Sequence, residues 1–161
     1  AYEESKNRMK FFKHIIEDCD GYRNLYYKGE RISTENDLQR MFKFVWCRTA
    51  FKPDFETNNG RGPADVVVSK GMNNQNVIEF KLASNPNLKH VFEQTEIYKK
   101  ANEAEKSVIA IFYFTEQELI KVNKMINDAG QNERIDEDII LIDCRNDNKP
   151  SASKPHKKAE N

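Results

Sequence analysis

Three charged residues interrupt two aliphatic segments in the middle of the sequence. Asp65 directly precedes a run of three valines, and Glu79 and Lys81 alternate with apolar residues in the segment NVIEFKLAS. Charged side chains are rare in strands that enter a core, because burying an unpaired charge is costly. Buried charges need partners, and a metal ion is a common one. The three residues are therefore candidates for chemistry.

The two segments are predicted to form one β-hairpin, because the turn-forming run KGMNNQ separates them. If the hairpin is centred near Met72, Asp65 lies opposite Glu79, and opposed residues of an antiparallel pair share a face. Lys81 follows Glu79 by two residues, so it shares that face. The register therefore predicts two carboxylates and an amine on one face. The other face is apolar and packs against a helix through Val66, Val68, Ile78, Phe80 and Leu82.

This group of side chains suits the hydrolysis of a phosphodiester. Two close carboxylates raise each other's pKa unless a cation lies between them. Mg²⁺ commonly takes one or two carboxylates together with waters and substrate phosphate. Asp65 and Glu79 are the expected ligands, and the backbone carbonyl of Phe80 is a further candidate. Lys81 is expected to orient or deprotonate the attacking water, or to stabilise the transition state.

The surrounding periodicities predict a mixed α/β fold. The elements follow the order α, α, β, β, β, α, β, α, β, with the second helix running from Ser33 towards Phe51 and the third starting near Pro86. Antiparallel hairpins come first and strand–helix–strand crossovers follow, which predicts a mixed sheet flanked by helices. We expect residues 1–32 to pack on the core as a helix and connecting segment. Residues 33–145 form that core, and the polar, basic residues 146–161 are expected to be disordered.

Composition limits the class of protein. A chain of 161 residues suits one domain with a real core. It carries 26 basic and 26 acidic side chains, so binding to nucleic acid would require a local basic patch. The three cysteines are scattered and lack metal-ligand spacing, which predicts a reduced protein of the cytoplasm. Apolar runs in the sequence are too short to span a membrane, so no membrane partner is expected.

Asp65, followed by the segment EFK at 79–81, resembles the signature of the PD-(D/E)xK nuclease superfamily. These proteins are restriction-endonuclease-like, metal-dependent phosphodiesterases. The element order from residue 33 to 144 is similar to the αβββαβ core of that superfamily. A literal Pro-Asp pair occurs at Pro53 and Asp54, but we prefer Asp65 because the hairpin register places it beside Glu79.

Two further matches lie outside the hairpin. Gln94 and Tyr98 are four residues apart and share a helix face, and they resemble the Q-x-x-x-Y motif of the exonuclease-like branch. The resemblance implies that they contact nucleic acid or brace Lys81. Glu35, at the start of the second helix, resembles the additional acidic residue that the superfamily often places beside the metal.

The resemblance implies a nuclease that depends on Mg²⁺, with Mn²⁺ as a substitute, and we expect DNA to be its substrate. It also suggests a bacterial defence, restriction or repair protein, acting as a homodimer or with a partner domain of a longer chain. Two alternatives stay open at this point. One is a non-catalytic nucleic-acid-binding or interaction domain on the same fold, and the other is a nuclease directed at RNA.

Overall fold

A five-stranded mixed sheet forms the centre of the molecule, and helices cover both of its faces. The computed structural model describes residues 1–58, 60 and 63–149. The helices are α1 Tyr2–Asp18, α2 Glu35–Phe42, α3 Val91–Ala101 and α4 Glu116–Asp128. The strands are β1 Tyr26–Tyr27, β2 Glu30–Arg31, β3 Lys52–Asn58, β4 Pro63–Ser69, β5 Gln75–Leu82, β6 Lys106–Tyr113 and β7 Ile139–Asp143.

The strand order of the sheet is β3-β4-β5-β6-β7, and the short strands β1 and β2 form a separate hairpin. The pairs β3–β4 and β4–β5 are antiparallel, whereas β5–β6 and β6–β7 are parallel. The helices α3 and α4 are the crossovers between the parallel strands, as such connections require. The predicted mixed α/β sheet flanked by helices is therefore confirmed.

The register of the β4–β5 hairpin agrees with the prediction. Val66 pairs with Ile78, and Ser69 pairs with Gln75, so each pair is placed symmetrically about Met72. One residue further along, the same register sets Asp65 opposite Glu79.

One face of the sheet packs against α1 and α2 through a cluster of aromatic rings. The rings of Phe80 and Phe112 are stacked, with centroids 5.6 Å apart and an interplanar angle of 8°. Phe42 of α2 meets the Phe80 ring edge-on at 5.2 Å, and Phe12 of α1 meets Phe112 at 6.2 Å. The apolar residues of the hairpin predicted to face a helix all belong to this core.

The opposite face packs against α3 and α4. Val91 of α3 and Val122 and Ile126 of α4 are fully buried against β6 residues such as Ile109 and Ile111. The strand β6 is buried from its second residue onward, as expected for a strand with neighbours on both sides.

Two helices are shorter than the apolar spacing predicts. The second helix leaves α geometry at Phe42 and continues as a 3₁₀ turn over Lys43–Trp46, after which Cys47 is extended. This tighter turn places Val45 and Trp46 in the core. The third helix likewise starts as a 3₁₀ turn over Leu88–His90, and α geometry begins only at Val91.

The segment after β7 folds back onto the end of that strand. The Asn148 amide donates to the Asp143 carboxylate at 2.7 Å, and Lys149 Nζ donates to the Asp143 carbonyl at 2.8 Å. The remainder of the segment predicted to be disordered, residues 150–161, lies outside the described residues. Within the described part of the chain, none of the helices has the length and apolar character needed to cross a membrane.

We predict that Phe112→Ala lowers the free energy of unfolding by about 3–5 kcal/mol, because it removes one of the two stacked rings and leaves a cavity beside Phe80. The matched control is Phe44→Ala, whose ring is 79% exposed, and which should change stability by less than about 0.5 kcal/mol. Urea titration followed by circular dichroism measures both. Equal losses in the two variants would contradict this description of the core.

Candidate active site

Asp65, Glu79 and Lys81 lie together on the face of the sheet that α3 covers. The hairpin register brings the two carboxyl groups side by side, and Lys81 Nζ is 3.9 Å from Glu79 Oε2. Val67 and Val77, which share this face, are buried and pack with Tyr98 of α3. The group is therefore mostly buried beside apolar side chains and does not lie on an open strand surface.

The Asp65 carboxylate is held by two donors from different elements. The side-chain amide of Gln39 on α2 donates to Oδ1 at 2.8 Å, and the backbone N–H of Phe80 donates to Oδ2 at 2.7 Å. Gln39 is only 4% exposed, so its hydrogen bond is sheltered from water. These contacts fix the orientation of the carboxylate, and each oxygen keeps a further lone pair for another partner.

Glu79 is the least solvated charged residue of the site. It is 1% exposed, and its Oε1 has no hydrogen-bond partner among the described residues. Burial raises the pKa of Glu79 to about 9; the neighbouring Asp65 carboxylate raises this pKa further, and Lys81 opposes the shift. A buried, ionised carboxyl oxygen without a donor is costly, so this environment favours the protonated form of Glu79, and a further cation beside it would favour the ionised form.

The same surroundings shift the pKa of two neighbouring groups. Burial raises the pKa of Asp65, and the Phe80 N–H and the Lys81 amine counteract it. Burial also raises the pKa of the Tyr98 phenol, and the nearby Glu79 and Asp65 carboxyls add to this effect. Tyr98 therefore lies within electrostatic reach of the pair, and its hydroxyl keeps its proton at neutral pH.

Glu35 connects α2 to the end of β5. Its Oε1 accepts hydrogen bonds from the backbone N–H of Leu82 at 3.1 Å and from the Asn85 amide at 2.9 Å. Its charge also raises the pKa of Asp65, so the two acids are neighbours. The structure therefore shows Glu35 supporting the strand end, and its role as a metal ligand stays a prediction.

The strands β4 and β5 separate at the site. Their ladder pairs end at Val66 and Ile78, and β5 continues to Leu82 with β6 as its neighbour. The backbone N–H groups of Phe80 and Leu82 are satisfied by the carboxylates of Asp65 and Glu35. Two of the acids thus take the place of a strand beside this part of β5.

The remaining candidates are less closely tied to the carboxyl pair. Gln94 is half-buried on α3, one turn before Tyr98. Phe80, whose backbone carbonyl is a candidate ligand, lies between Glu79 and Lys81 in β5.

The alternative acid, Asp54, lies on β3 opposite Val67, and its carboxylate is 3.1 Å from Lys52 Nζ. Asp65, on the strand next to β5, accepts the hydrogen bond from the Phe80 N–H, which supports the choice of Asp65 over Asp54.

Sequence reasoning missed Gln39 and Asn85. Gln39 follows Glu35 by four residues and so shares its helix face, and this spacing is the signal in the sequence that indicates its position. Asn85 lies in the turn after β5 and carries no motif that predicts its bond to Glu35.

The carboxyl pair fits a divalent cation that keeps most of its waters. Within the described residues, no group of three or more His, Cys, Asp or Glu side chains forms a ready metal cage. Mg²⁺ does not require one, because one or two carboxylates with waters and phosphate are a usual ligand set. The unpartnered Glu79 oxygen beside the fixed Asp65 carboxylate supplies the donor chemistry of such a site.

A comparison with family models matches residues 1–116 to a domain of unknown function, DUF8371. The chain belongs to the DUF8371 family. The match runs from α1 to the first residue of α4 and includes all the candidate site residues, from Glu35 to Tyr98. No curated protein and no solved structure matches the chain.

In this DUF8371 domain, stability without metal should fall as the pH rises, because the pKa of Glu79 is higher in the folded state than in the unfolded state. Glu79 contributes its full stabilisation below about pH 4.5, and this contribution is lost as the pH rises towards about 9. Glu79→Gln keeps a neutral side chain at every pH. We therefore expect the variant to have the same Tm as the wild type near pH 5 and a Tm several degrees higher at pH 8. In a domain of this size, each kcal/mol of added stability raises the Tm by about 2–4 °C.

Thermal unfolding in EDTA at pH 5 and pH 8 measures this difference. The matched control is Glu133→Gln, at an exposed position beyond α4, where the Tm difference should not change with pH. A lower Tm for Glu79→Gln at both pH values would instead assign Glu79 to a stabilising ion pair with Lys81.

Proposed function

We propose that this DUF8371 domain is a metal-dependent nuclease that resembles the PD-(D/E)xK superfamily and hydrolyses phosphodiester bonds, with DNA as the expected substrate. The observation that carries the proposal is the buried Glu79 carboxyl, which has an unpartnered oxygen and lies beside both Asp65 and Lys81. A purely structural carboxylate at this depth would normally have its hydrogen bonds satisfied.

Asp65 and Glu79 would hold Mg²⁺ or Mn²⁺, and the Phe80 carbonyl and Glu35 are further candidate ligands. When bound, the cation supplies a more acidic coordinated water and offsets negative charge at the phosphate. Gln39 and the Phe80 N–H keep Asp65 in a single orientation, which limits the reorganisation needed to bind a cation.

Lys81 and Tyr98 provide the remaining chemistry. Lys81 is mostly buried, with 15% of its side chain exposed, so its positive charge acts in surroundings of reduced dielectric. It can orient the attacking water and stabilise the charge that develops on the phosphate. Tyr98 keeps its proton and can donate a hydrogen bond to a phosphate oxygen, while Gln94 on the same helix can position the substrate.

Lys81→Ala should reduce the cleavage rate by at least about 100-fold, because it removes both a water-orienting group and a charge that stabilises the transition state. The assay incubates wild type and variant with supercoiled plasmid, linear duplex DNA, single-stranded DNA and RNA, with Mg²⁺, Mn²⁺ or EDTA. The substrate that disappears with metal identifies the class of nucleic acid. The matched control, Lys10→Ala on α1, should cleave at the wild-type rate.

Cleavage that persists in Lys81→Ala would point to a contaminating nuclease and would count against the proposal. Binding of Mn²⁺, measured by calorimetry on wild type and on Asp65→Ala, provides a second readout. If the wild type neither cleaves any substrate nor binds Mn²⁺, the domain is a non-catalytic binding module.

A further inference from the structure

A groove of about 480 Å³ lies between α4 and the segment that follows β5. Asn85, Pro86 and Lys89 line one side, and Lys121, Lys124 and Met125 line the other. The three lysines are exposed, so their ammonium groups are accessible to a ligand. We call this feature the lysine groove.

The lysine groove is positively charged on a chain whose formal net charge is zero. Its lysines are opposed by one acid of the lining, Asp128, whose carboxylate is 2.6 Å from Lys124 Nζ. Both side chains of this ion pair are exposed, Lys124 by 75% and Asp128 by 59%. The pair therefore contributes little to stability, and another anion can replace Asp128 beside Lys124. The local excess of positive charge favours an anionic ligand.

Two contacts connect the groove to the candidate active site. Lys121 Nζ donates to the carbonyl of Ala83 at 3.4 Å, just past the end of β5 and two residues after Lys81. Asn85 of the groove wall donates to Glu35 at 2.9 Å, and Glu35 neighbours Asp65. The groove therefore begins where the strand that carries Glu79 and Lys81 ends.

We infer that the lysine groove binds the phosphate backbone of a nucleic acid strand whose neighbouring phosphodiester lies at the carboxyl pair. This inference rests on the proposed function, and it assigns a binding surface that the hairpin motif does not contain. Lysine ammonium groups pair with phosphate as point charges, and the apolar surfaces of Pro86 and Met125 suit the sugar. Such contacts carry no sequence information, so they fit a strand of any sequence.

The inference is tested by strand binding in EDTA, where cleavage cannot interfere. Fluorescence anisotropy measures binding of labelled 20-nucleotide single-stranded DNA, duplex DNA and single-stranded RNA across a salt series. The groove variant is Lys89→Gln with Lys124→Gln, which leaves Lys121 and its contact to Ala83 intact. The matched control, Lys10→Gln with Lys28→Gln, removes the same charge at exposed positions away from the groove.

We expect the groove variant to bind its preferred strand about tenfold more weakly at 0.1 M salt. The plot of log affinity against log salt has a negative slope, and the slope should become less steep by about 1 to 2. Each lost phosphate contact reduces the magnitude of the slope by close to 1. The control should bind within about twofold of the wild type. The probe bound most tightly distinguishes DNA from RNA and a single strand from a duplex.

Unchanged affinity and salt slope in the groove variant, or no binding of any probe by the wild type, would overturn the inference. The cleavage assay with Lys81→Ala separates the two proposals. Metal-dependent cleavage by the wild type, together with unchanged binding by the groove variant, supports the nuclease proposal and contradicts the groove proposal. Weakened binding in the groove variant, with neither cleavage nor Mn²⁺ binding by the wild type, supports the groove and contradicts the nuclease proposal.

Discussion

The register of the β4–β5 hairpin is the constraint on which both the core and the candidate site depend. Side chains alternate between the faces of a strand, so a slip of one residue would exchange the two faces. Glu79 would then enter the aromatic cluster, and Phe80 would leave its stack with Phe112. The aromatic face resists this exchange strongly, and it therefore also holds the carboxyl groups in place on the opposite face.

The site combines a rigid frame with a buried carboxyl group whose hydrogen bonds are incomplete. Asp65 is fixed by donors from α2 and β5, and Glu35 ties the same two elements together at the strand end. Glu79 lies between these fixed groups with an oxygen that has no donor among the described residues. Each oxygen of Asp65 thus has a hydrogen-bond donor, whereas one oxygen of Glu79 has none among the described residues, and such local exceptions to polar satisfaction are concentrated at functional sites in proteins.

The fold and the carboxyl pair were predictable because both depend on local pattern. A turn-forming segment between two apolar strands specifies which residues oppose each other, and this placed Asp65 opposite Glu79 correctly. Gln39 was not predictable in the same way, because its contact to Asp65 depends on how α2 crosses the sheet. The early end of α2 at Phe42 also reflects tertiary packing, since Val45 and Trp46 enter the core through a 3₁₀ turn.

The separation of β4 from β5 has a consequence for how the chain meets other chains. Backbone N–H groups along an unpaired strand edge form a template on which a foreign segment can add as a further strand. Asp65 and Glu35 occupy the N–H groups of Phe80 and Leu82, so the acids also shield the edge of β5 from unwanted association. The same two hydrogen bonds that orient the acids therefore leave this part of the β5 edge without free N–H groups for a foreign strand.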